Sequence, residues 1–274
     1  MLKSISVWAF DPARPLDEVF AIAKENGFPA VEVAIAEDGP ITPRSTEDDC
    51  KRILDQAQNA GIQISSMASA GGWSLPISCT DDATRRKGID FIASSLRVAK
   101  GLNLDTILVV PGGVAADFID GFKRAPYDVA YKNAKEALQE LVSVANETKV
   151  SIGVENVWNK FLLSPLEMRQ FIDDLNCDYV GSYFDVGNVI QTGFPEQWIR
   201  ILGKRIKKVH FKDFKESVGT LDGFCDLLDG DVDYAEVMKA LREIGYDGPV
   251  TAEFFTCESD LPKISEAMDR ILAM

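Results

Sequence analysis

Four residues of types that bind divalent metal ions each stand at or near the end of a short apolar segment. They are Glu155, Asp185, His210 and Glu253, and His210 is the only histidine among 274 residues. Taken singly, each is more often an ordinary hydrogen-bonded or solvated side chain. Together, three carboxylates and one imidazole suit manganese, magnesium, cobalt or zinc, with coordination positions left for substrate oxygens. Because burying three charged carboxylates together is prohibitive without a cation or protonation, the four residues favour one divalent metal site.

Alternating strand and helix patterns run along the whole chain and would bring the four residues together. Strands are predicted to begin near Ile5, Val31, Ile62, Asp105, Val150, Tyr179, Arg205 and Gly248. Helices are predicted over Leu16 to Asn26, Thr46 to Ala60, Asp82 to Gly101, Tyr127 to Thr148, Pro165 to Asn176, Glu196 to Gly203, Tyr234 to Gly245 and Leu261 to Leu272. Left-handed residues that end helices are predicted at Gly27, Gly61, Gly101 and Gly245.

This alternation implies parallel strands with right-handed crossovers, in either an open doubly wound sheet or a closed barrel. Eight units, with no glycine-rich phosphate-binding sequence after the first strand, favour a single (β/α)8 TIM barrel and no organic cofactor. No linker or shift in composition marks a boundary, so residues 1–274 are predicted to form one domain. The last four strands would then deliver the four candidate ligands to one rim of the barrel.

The three longest loops that would follow strands lie on the same side as this rim. They cover residues 71–76, 111–126 and 214–231, after the third, fourth and seventh strands. Loops on this side of a barrel build its active site, so we expect them to surround a ligand. The alternative is that they are tolerated surface insertions.

Composition excludes several classes of protein. With 46% hydrophobic and 26% charged residues the chain can bury a large core, and its net charge of −14 argues against a nucleic-acid partner. Five cysteines without a paired spacing are typical of scattered thiols in a reducing compartment. There is no secretory leader and no apolar run of the roughly 18 residues that a membrane span needs. We therefore expect a cytoplasmic protein, and leave assembly into homo-oligomers open.

Short blocks in the second half of the chain resemble a known family. The blocks are Glu155-Asn156, Phe184-Asp185-Val186-Gly187-Asn188, Val209-His210-Phe211-Lys212-Asp213, Gly230-Asp231-Val232-Asp233-Tyr234 and Ala252-Glu253. They look like the signatures of the xylose-isomerase-like barrel family of sugar phosphate isomerases and epimerases. Its members include D-tagatose 3-epimerase and L-ribulose-5-phosphate 3-epimerase. The resemblance spans the second half in order and is loose in the first half.

The resemblance implies both a reaction and roles for the four residues. Glu155 and Glu253 would be metal ligands and also the acid and base, while Asp185 and His210 would complete the metal shell. A divalent ion chelating a ketone and its neighbouring hydroxyl would stabilise an enediolate, and two carboxylates on opposite faces would epimerise the carbon between them. The implied substrate is a carbohydrate, with the reaction at C3 of a ketose. A proton shuttle on one face between adjacent carbons would instead give an aldose–ketose isomerase.

Further residues are candidates for contacting the substrate. D-tagatose 3-epimerase-like proteins have histidine where this chain has Asn188, which can hydrogen-bond a hydroxyl but cannot relay a proton. Lys160 and Lys212 are candidate cations if the substrate is phosphorylated. Glu32, in the second strand, is predicted to pair within the barrel instead of touching the substrate.

Aromatic residues are candidates for a wall against the C–H faces of a sugar. Trp8 follows the first strand, Trp73 lies in the loop after the third, and Trp158 follows the fifth. Each of the three is also suited to plain packing.

Two other functions stay open at this point. A dehydratase of the inosose or dehydroshikimate type would use the same enolisation and then expel a hydroxyl group. The other alternative is a metal-binding barrel without catalytic activity. A type-IV endonuclease has the same barrel but needs several histidines and a basic face, which this chain lacks.

Overall fold

Eight parallel strands close into a ring in the computed structural model, which describes residues 1–69 and 71–274. The strands are β1 (Leu2–Ser6), β2 (Ala30–Ile35), β3 (Gln63–Ser69), β4 (Thr106–Val109), β5 (Ser151–Glu155), β6 (Val180–Asp185), β7 (Ile206–Phe211) and β8 (Pro249–Ala252). Each strand pairs with the next along the chain, and β8 pairs with β1 to close the ring. The predicted (β/α)8 barrel is confirmed.

Helices connect the strands and cover the outside of the ring. They are α1 (Leu16–Glu25), α2 (Glu47–Ala60), α3 (Asp82–Gly101), α4 (Tyr127–Thr148), α5 (Pro165–Asp173), α6 (Pro195–Leu202), α7 (Tyr234–Glu243) and α8 (Leu261–Leu272). Each shows a buried apolar stripe, which packs on the barrel. Within the described part of the chain, no helix combines the length and apolarity that crossing a membrane requires.

The predicted elements match the observed ones closely, with one correction at a helix end. Gly27, Gly61 and Gly245 have positive φ angles as predicted. The prediction for Gly101 was wrong, because this residue is helical and the positive φ, of 56°, belongs to Asn103. A Cβ at Gly101 would lie 2.9 Å from Cys50 Sγ, so this glycine allows α3 to pack against α2.

A second glycine makes room inside the barrel. All five residues of β5 are buried, and a Cβ on its central residue, Gly153, would lie 2.9 Å from the ring of Tyr183 on β6. Without a side chain at Gly153, the fully buried Tyr183 ring fits inside the barrel. This placement brings the Tyr183 hydroxyl to the residues that support the candidate site.

The long loops after the strands carry short elements of their own. Residues Gly71–Ser74 form one helical turn after β3. After β7, Asp213–Phe214 pairs antiparallel with Phe224–Cys225. The buried Asp213 carboxylate anchors this loop, because it accepts hydrogen bonds from the backbone N–H groups of Leu228 at 2.9 Å and Val232 at 3.2 Å.

Candidate active site

The four candidate metal ligands converge at the C-terminal rim of the barrel. Glu155 ends β5, Asp185 ends β6, His210 lies near the end of β7, and Glu253 follows β8. All four are buried, and one ligand atom from each lies within 4.8 Å of the others. His210 Nδ1 lies 2.9 Å from Glu253 Oε2, 3.8 Å from Glu155 Oε1 and 4.0 Å from Asp185 Oδ2. The convergence expected from the strand order is therefore present.

The donor atoms of this cluster fit a divalent cation. Asp185 Oδ2, His210 Nδ1 and Glu253 Oε2 are buried, and none has a well-aligned hydrogen-bond partner within the described residues, although Lys212 Nζ lies 2.7 Å from Glu253 Oε2. Buried polar atoms are almost always satisfied, so three that point at one place call for a shared partner. One imidazole nitrogen and several carboxylate oxygens form a donor set that suits a hard or borderline divalent ion.

Two asparagines fix the orientation of Asp185. The Asn156 side chain accepts a hydrogen bond from the Asp185 N–H at 2.9 Å and donates one to the Asp185 carbonyl at 2.7 Å. The Asn188 N–H donates to Asp185 Oδ1 at 2.8 Å, while the Asn188 amide donates to the Asn156 carbonyl at 3.0 Å. Asp185 Oδ1 therefore accepts a backbone hydrogen bond, and Asp185 Oδ2 faces the cluster.

Glu32 and the residues around it orient His210 from below. His210 Nε2 lies 2.9 Å from Glu32 Oε1, and Ser66 Oγ donates to Glu32 Oε2 at 2.8 Å. The Tyr183 hydroxyl also donates to Glu32 Oε2 and lies 2.9 Å from Ser66 Oγ. With Nε2–H directed at Glu32, the other imidazole nitrogen, Nδ1, faces the cluster. Glu32 thus pairs within the barrel, as its position in β2 predicted.

Lys212 supplies positive charge beside the carboxylates. Its ammonium lies 2.7 Å from Glu253 Oε2 and 3.4 Å from Asp185 Oδ2. Burial would lower the pKa of Lys212, but these two carboxylates and Glu155 raise it overall. Burial would likewise lower the pKa of His210, yet Glu32 and Glu253 hold it well above its usual range. Two cationic groups therefore offset part of the negative charge of the buried carboxylates.

The two glutamates of the cluster differ in their electrostatic surroundings. Burial raises the pKa of Glu155 to about 7, although His210 works in the opposite direction. Burial would also raise the pKa of Glu253, but Lys212 and His210 together bring it below its usual range. Pairs of carboxyl groups with pKa values held apart in this way are typical of acid and base partners.

A cavity of about 890 Å³ opens over the cluster, and we call it the first cavity. Its walls include Trp8, Trp73, Trp158, Phe118, Phe224 and Phe255, three of which lie in the long loops. Trp8 stacks on Phe255 with ring centroids 5.7 Å apart, and Trp158 Nε1 donates to the Asn188 carbonyl at 2.9 Å. The arrangement offers flat apolar surfaces above a polar, charged floor.

Four of the five predicted substrate-binding residues line this cavity. They are Trp8, Trp158, Asn188 and Lys212. Lys160 lies elsewhere, because the chain after β5 directs it to Asp117, 3.3 Å away, in a neighbouring cavity. The binding role of all five stays a prediction.

Sequence reasoning missed Phe118 and Phe255, which lie on the cavity wall. Phe255 stands only two residues after Glu253, a position that could have suggested it. Phe118 carried no signal of its own, although the loop 111–126 that contains it was expected to surround a ligand.

Comparison with known proteins identifies the family. Residues 20–274 match the family described as the xylose isomerase-like TIM barrel. The chain belongs to this family. The match covers all four cluster residues and most of the barrel, and it confirms the resemblance drawn from the sequence blocks.

Relatives of this xylose isomerase-like TIM barrel are enzymes, and the expectation of an enzyme is confirmed. The chain is 24% identical over 288 aligned positions to the L-ribulose-5-phosphate 3-epimerase of Salmonella heidelberg (strain SL476), covering 99% of this chain and 95% of the relative. Among solved structures, it superposes on D-psicose 3-epimerase from Clostridium cellulolyticum H10, determined with D-tagatose. The TM-score is 0.81 at 16% identity, with 99% of each chain covered. A protein named IOLI, solved with a binding zinc atom, gives a TM-score of 0.80 at 17% identity, covering 100% of this chain and 98% of that one.

Proposed function

We propose that this protein is a divalent-metal-dependent epimerase of ketoses or ketose phosphates that acts at C3. The observation that carries the proposal is the buried meeting of Glu155, Asp185, His210 and Glu253 beneath an aromatic-walled cavity. The names of the relatives, an L-ribulose-5-phosphate 3-epimerase and a D-psicose 3-epimerase, support C3 of a ketose. The location in the cytoplasm and any homo-oligomer stay predictions.

Glu155, Asp185, His210 and Glu253 would hold the metal ion. A divalent ion bound there would polarise the ketone of a sugar and stabilise negative charge on its oxygens. Manganese, magnesium, cobalt and zinc all suit this donor set, and the zinc atom of the related IOLI structure supports a metal of this kind.

Glu155 and Glu253 would move the proton. They stand on opposite sides of His210, one at the end of β5 and the other after β8, so a planar sugar intermediate between them would present a different face to each. One carboxylate removes the proton from the carbon, and the other returns a proton to the opposite face with inverted configuration. The aromatic wall would exclude water from the intermediate, which protects it from protonation by solvent.

Replacing each glutamate by glutamine tests these roles. In deuterium oxide with Mn²⁺, the wild-type protein should incorporate deuterium into a suitable ketose without loss of water, whereas E155Q and E253Q should lower the exchange rate by at least about a hundredfold. A screen of ketoses and ketose phosphates, read by proton NMR, measures this exchange. Loss of water from the substrate would instead identify a dehydratase.

Glu266→Gln is the matched control, because Glu266 is an exposed glutamate on α8 that belongs neither to the cluster nor to the walls of the first cavity. It should exchange like the wild type. Undiminished exchange in either E155Q or E253Q, with circular dichroism unchanged, would contradict the proposed acid and base.

A further inference from the structure

A second cavity, of about 720 Å³, adjoins the first. The first cavity already has the size of a site for a drug-sized ligand, so a single ketose fills only part of it. The second is built by the loops after β4 to β7, on the same side of the barrel as the metal cluster. The question is which part of a substrate this second cavity would hold.

The two cavities meet around one indole ring. Trp158, Asn188, Phe118, Val157 and Leu221 line both. The Trp158 ring is fixed in place, since it donates to the Asn188 carbonyl and packs against Phe214 at 5.1 Å between centroids. A ligand that extends from the cluster would therefore pass over a rigid aromatic surface into the second cavity.

The floor of the second cavity is apolar and its edge is polar. Phe161, Leu162 and Trp198 are buried at its floor. The edge carries hydrogen-bonding side chains, namely Asp117, Lys160, Gln191, Thr192, Thr220 and Asp222. Flat apolar surface together with hydroxyl, amide and carboxylate groups is a combination that suits the two kinds of surface on a sugar ring.

The charges at this edge disfavour a phosphate group. Among the described residues lining the second cavity, two are carboxylates, Asp117 and Asp222, and the one cation is Lys160. Lys160 is already paired with Asp117 at 3.3 Å, and Arg124 holds the other oxygen of that carboxylate at 2.8 Å. Among these described residues both cations are already bound to Asp117, so neither is left to hold a dianionic phosphate, whereas sugar hydroxyls can donate to the carboxylates.

We propose that the second cavity binds an uncharged saccharide unit attached to the reacting ketose, so that the substrate is a glycosylated ketose instead of a ketose phosphate. This inference rests on the proposed epimerase function and specifies its substrate class. Exposed apolar side chains continue the shared wall towards solvent, with Phe118 40% and Leu221 43% exposed, and a second sugar ring would cover them.

Substrates that differ only in what they carry at one oxygen test the inference. Isomaltulose is a fructose with glucose on O6, and D-fructose 6-phosphate has phosphate on the same oxygen. In deuterium oxide with Mn²⁺, we expect exchange of isomaltulose, or of leucrose or lactulose, with a kcat/KM at least about tenfold above those of D-fructose and D-fructose 6-phosphate. A preference for the phosphate ester, or no preference for any of the three disaccharides, would overturn the proposal.

Two variants test whether the extra saccharide unit binds in the second cavity. Thr192 is exposed at its edge, and Thr192→Trp would fill the space; Lys160→Ala would remove a hydrogen-bond donor. Both should lower kcat/KM for the preferred disaccharide several-fold more than for D-fructose. Val218→Trp, an exposed position in the loop after β7 that lines neither cavity, is the control and should leave both values unchanged. An equal effect of T192W on both substrates would refute the assignment.

Measurements of saccharide binding test this inference separately from the proposed epimerase function. If no ketose exchanges its proton, the proposed reaction fails. Calorimetric titration of isomaltulose, leucrose and lactulose into the wild type and T192W then tests, independently of any reaction, whether the second cavity binds a saccharide. Binding that T192W weakens about tenfold or more would uphold the saccharide site. No binding to the wild type, or equal binding to both proteins, would reject it.

Discussion

Replacing Glu32 by glutamine tests how His210 is directed at the metal cluster. Glu32 is fully buried, and its Oε1 lies 2.9 Å from His210 Nε2. Glutamine has the same shape, and its amide could donate to the Ser66 and Tyr183 hydroxyls, which have lone pairs free to accept. The substitution therefore removes the negative charge behind the imidazole while leaving the packing of the barrel interior intact.

The expected loss of metal affinity follows from this contact. Removing a carboxylate that supports a ligating histidine typically weakens metal binding by about 10- to 100-fold, or about 1.4 to 2.8 kcal/mol. Because glutamine can still accept a hydrogen bond from Nε2, we expect the metal affinity of E32Q to fall by about tenfold.

The loss should also depend on pH. Glu32 helps to hold the pKa of His210 well above its usual range, so a proton competes with the metal for Nδ1. E32Q lowers the pKa of His210 and so weakens the competition between proton and metal. This gain in metal binding is largest at acidic pH. The difference in affinity between wild type and E32Q should therefore be larger at about pH 8 than at about pH 6.

Calorimetric titration of Mn²⁺ at the two pH values measures these differences. His210 is the only histidine, so in untagged protein the imidazole NMR signals report its protonation without assignment. Glu37→Gln is the control, since Glu37 is exposed in the loop after β2. A folded E32Q protein with wild-type Mn²⁺ affinity at the higher pH would refute the reasoning, because the imidazole would then be held without help from the carboxylate.

Three further predictions concern stability. Lys212→Met removes one of the two buried cations beside Glu253, so it should destabilise the metal-free protein by about 3 to 5 kcal/mol and the Mn²⁺-loaded protein by less, as measured by chemical denaturation. Asp213→Asn places an amide donor against the backbone N–H groups of the loop after β7, which should cost about 1 to 3 kcal/mol and lower the Tm. Thr46→Ala removes the capping box at the start of α2 and should cost about 1 kcal/mol in the same assay, with no change in metal affinity.

The barrel and its metal cluster were predictable because both follow from local sequence. A parallel strand buried on both faces appears as a continuous apolar segment, and its last residues always reach the same rim of a closed ring. Glu155, Asp185 and His210 needed nothing more than this placement. The predicted start of the first strand was the least accurate, since this strand begins at Leu2 and not near Ile5.

Features set by contacts between distant segments were harder to predict. The role of Glu32 depends on Tyr183, which reaches it across the barrel interior, although a lone carboxylate among the buried residues of β2 was a visible signal. The place of Lys160 depends on a positive φ of 54° that turns the chain after β5 towards Asp117. Sequence periodicity carries no information about such a turn, so the second cavity could not be foreseen.

The ammonium of Lys212 has a consequence for how the protein matures. Because this side chain already neutralises part of the acidic cluster, we expect the polypeptide to complete its folding before any metal arrives. Newly made molecules would then circulate ready for loading, and the ion they acquire would reflect the cell's free metal pool at that moment. A barrel with an internal counter-ion thus separates the timing of synthesis from the timing of activation.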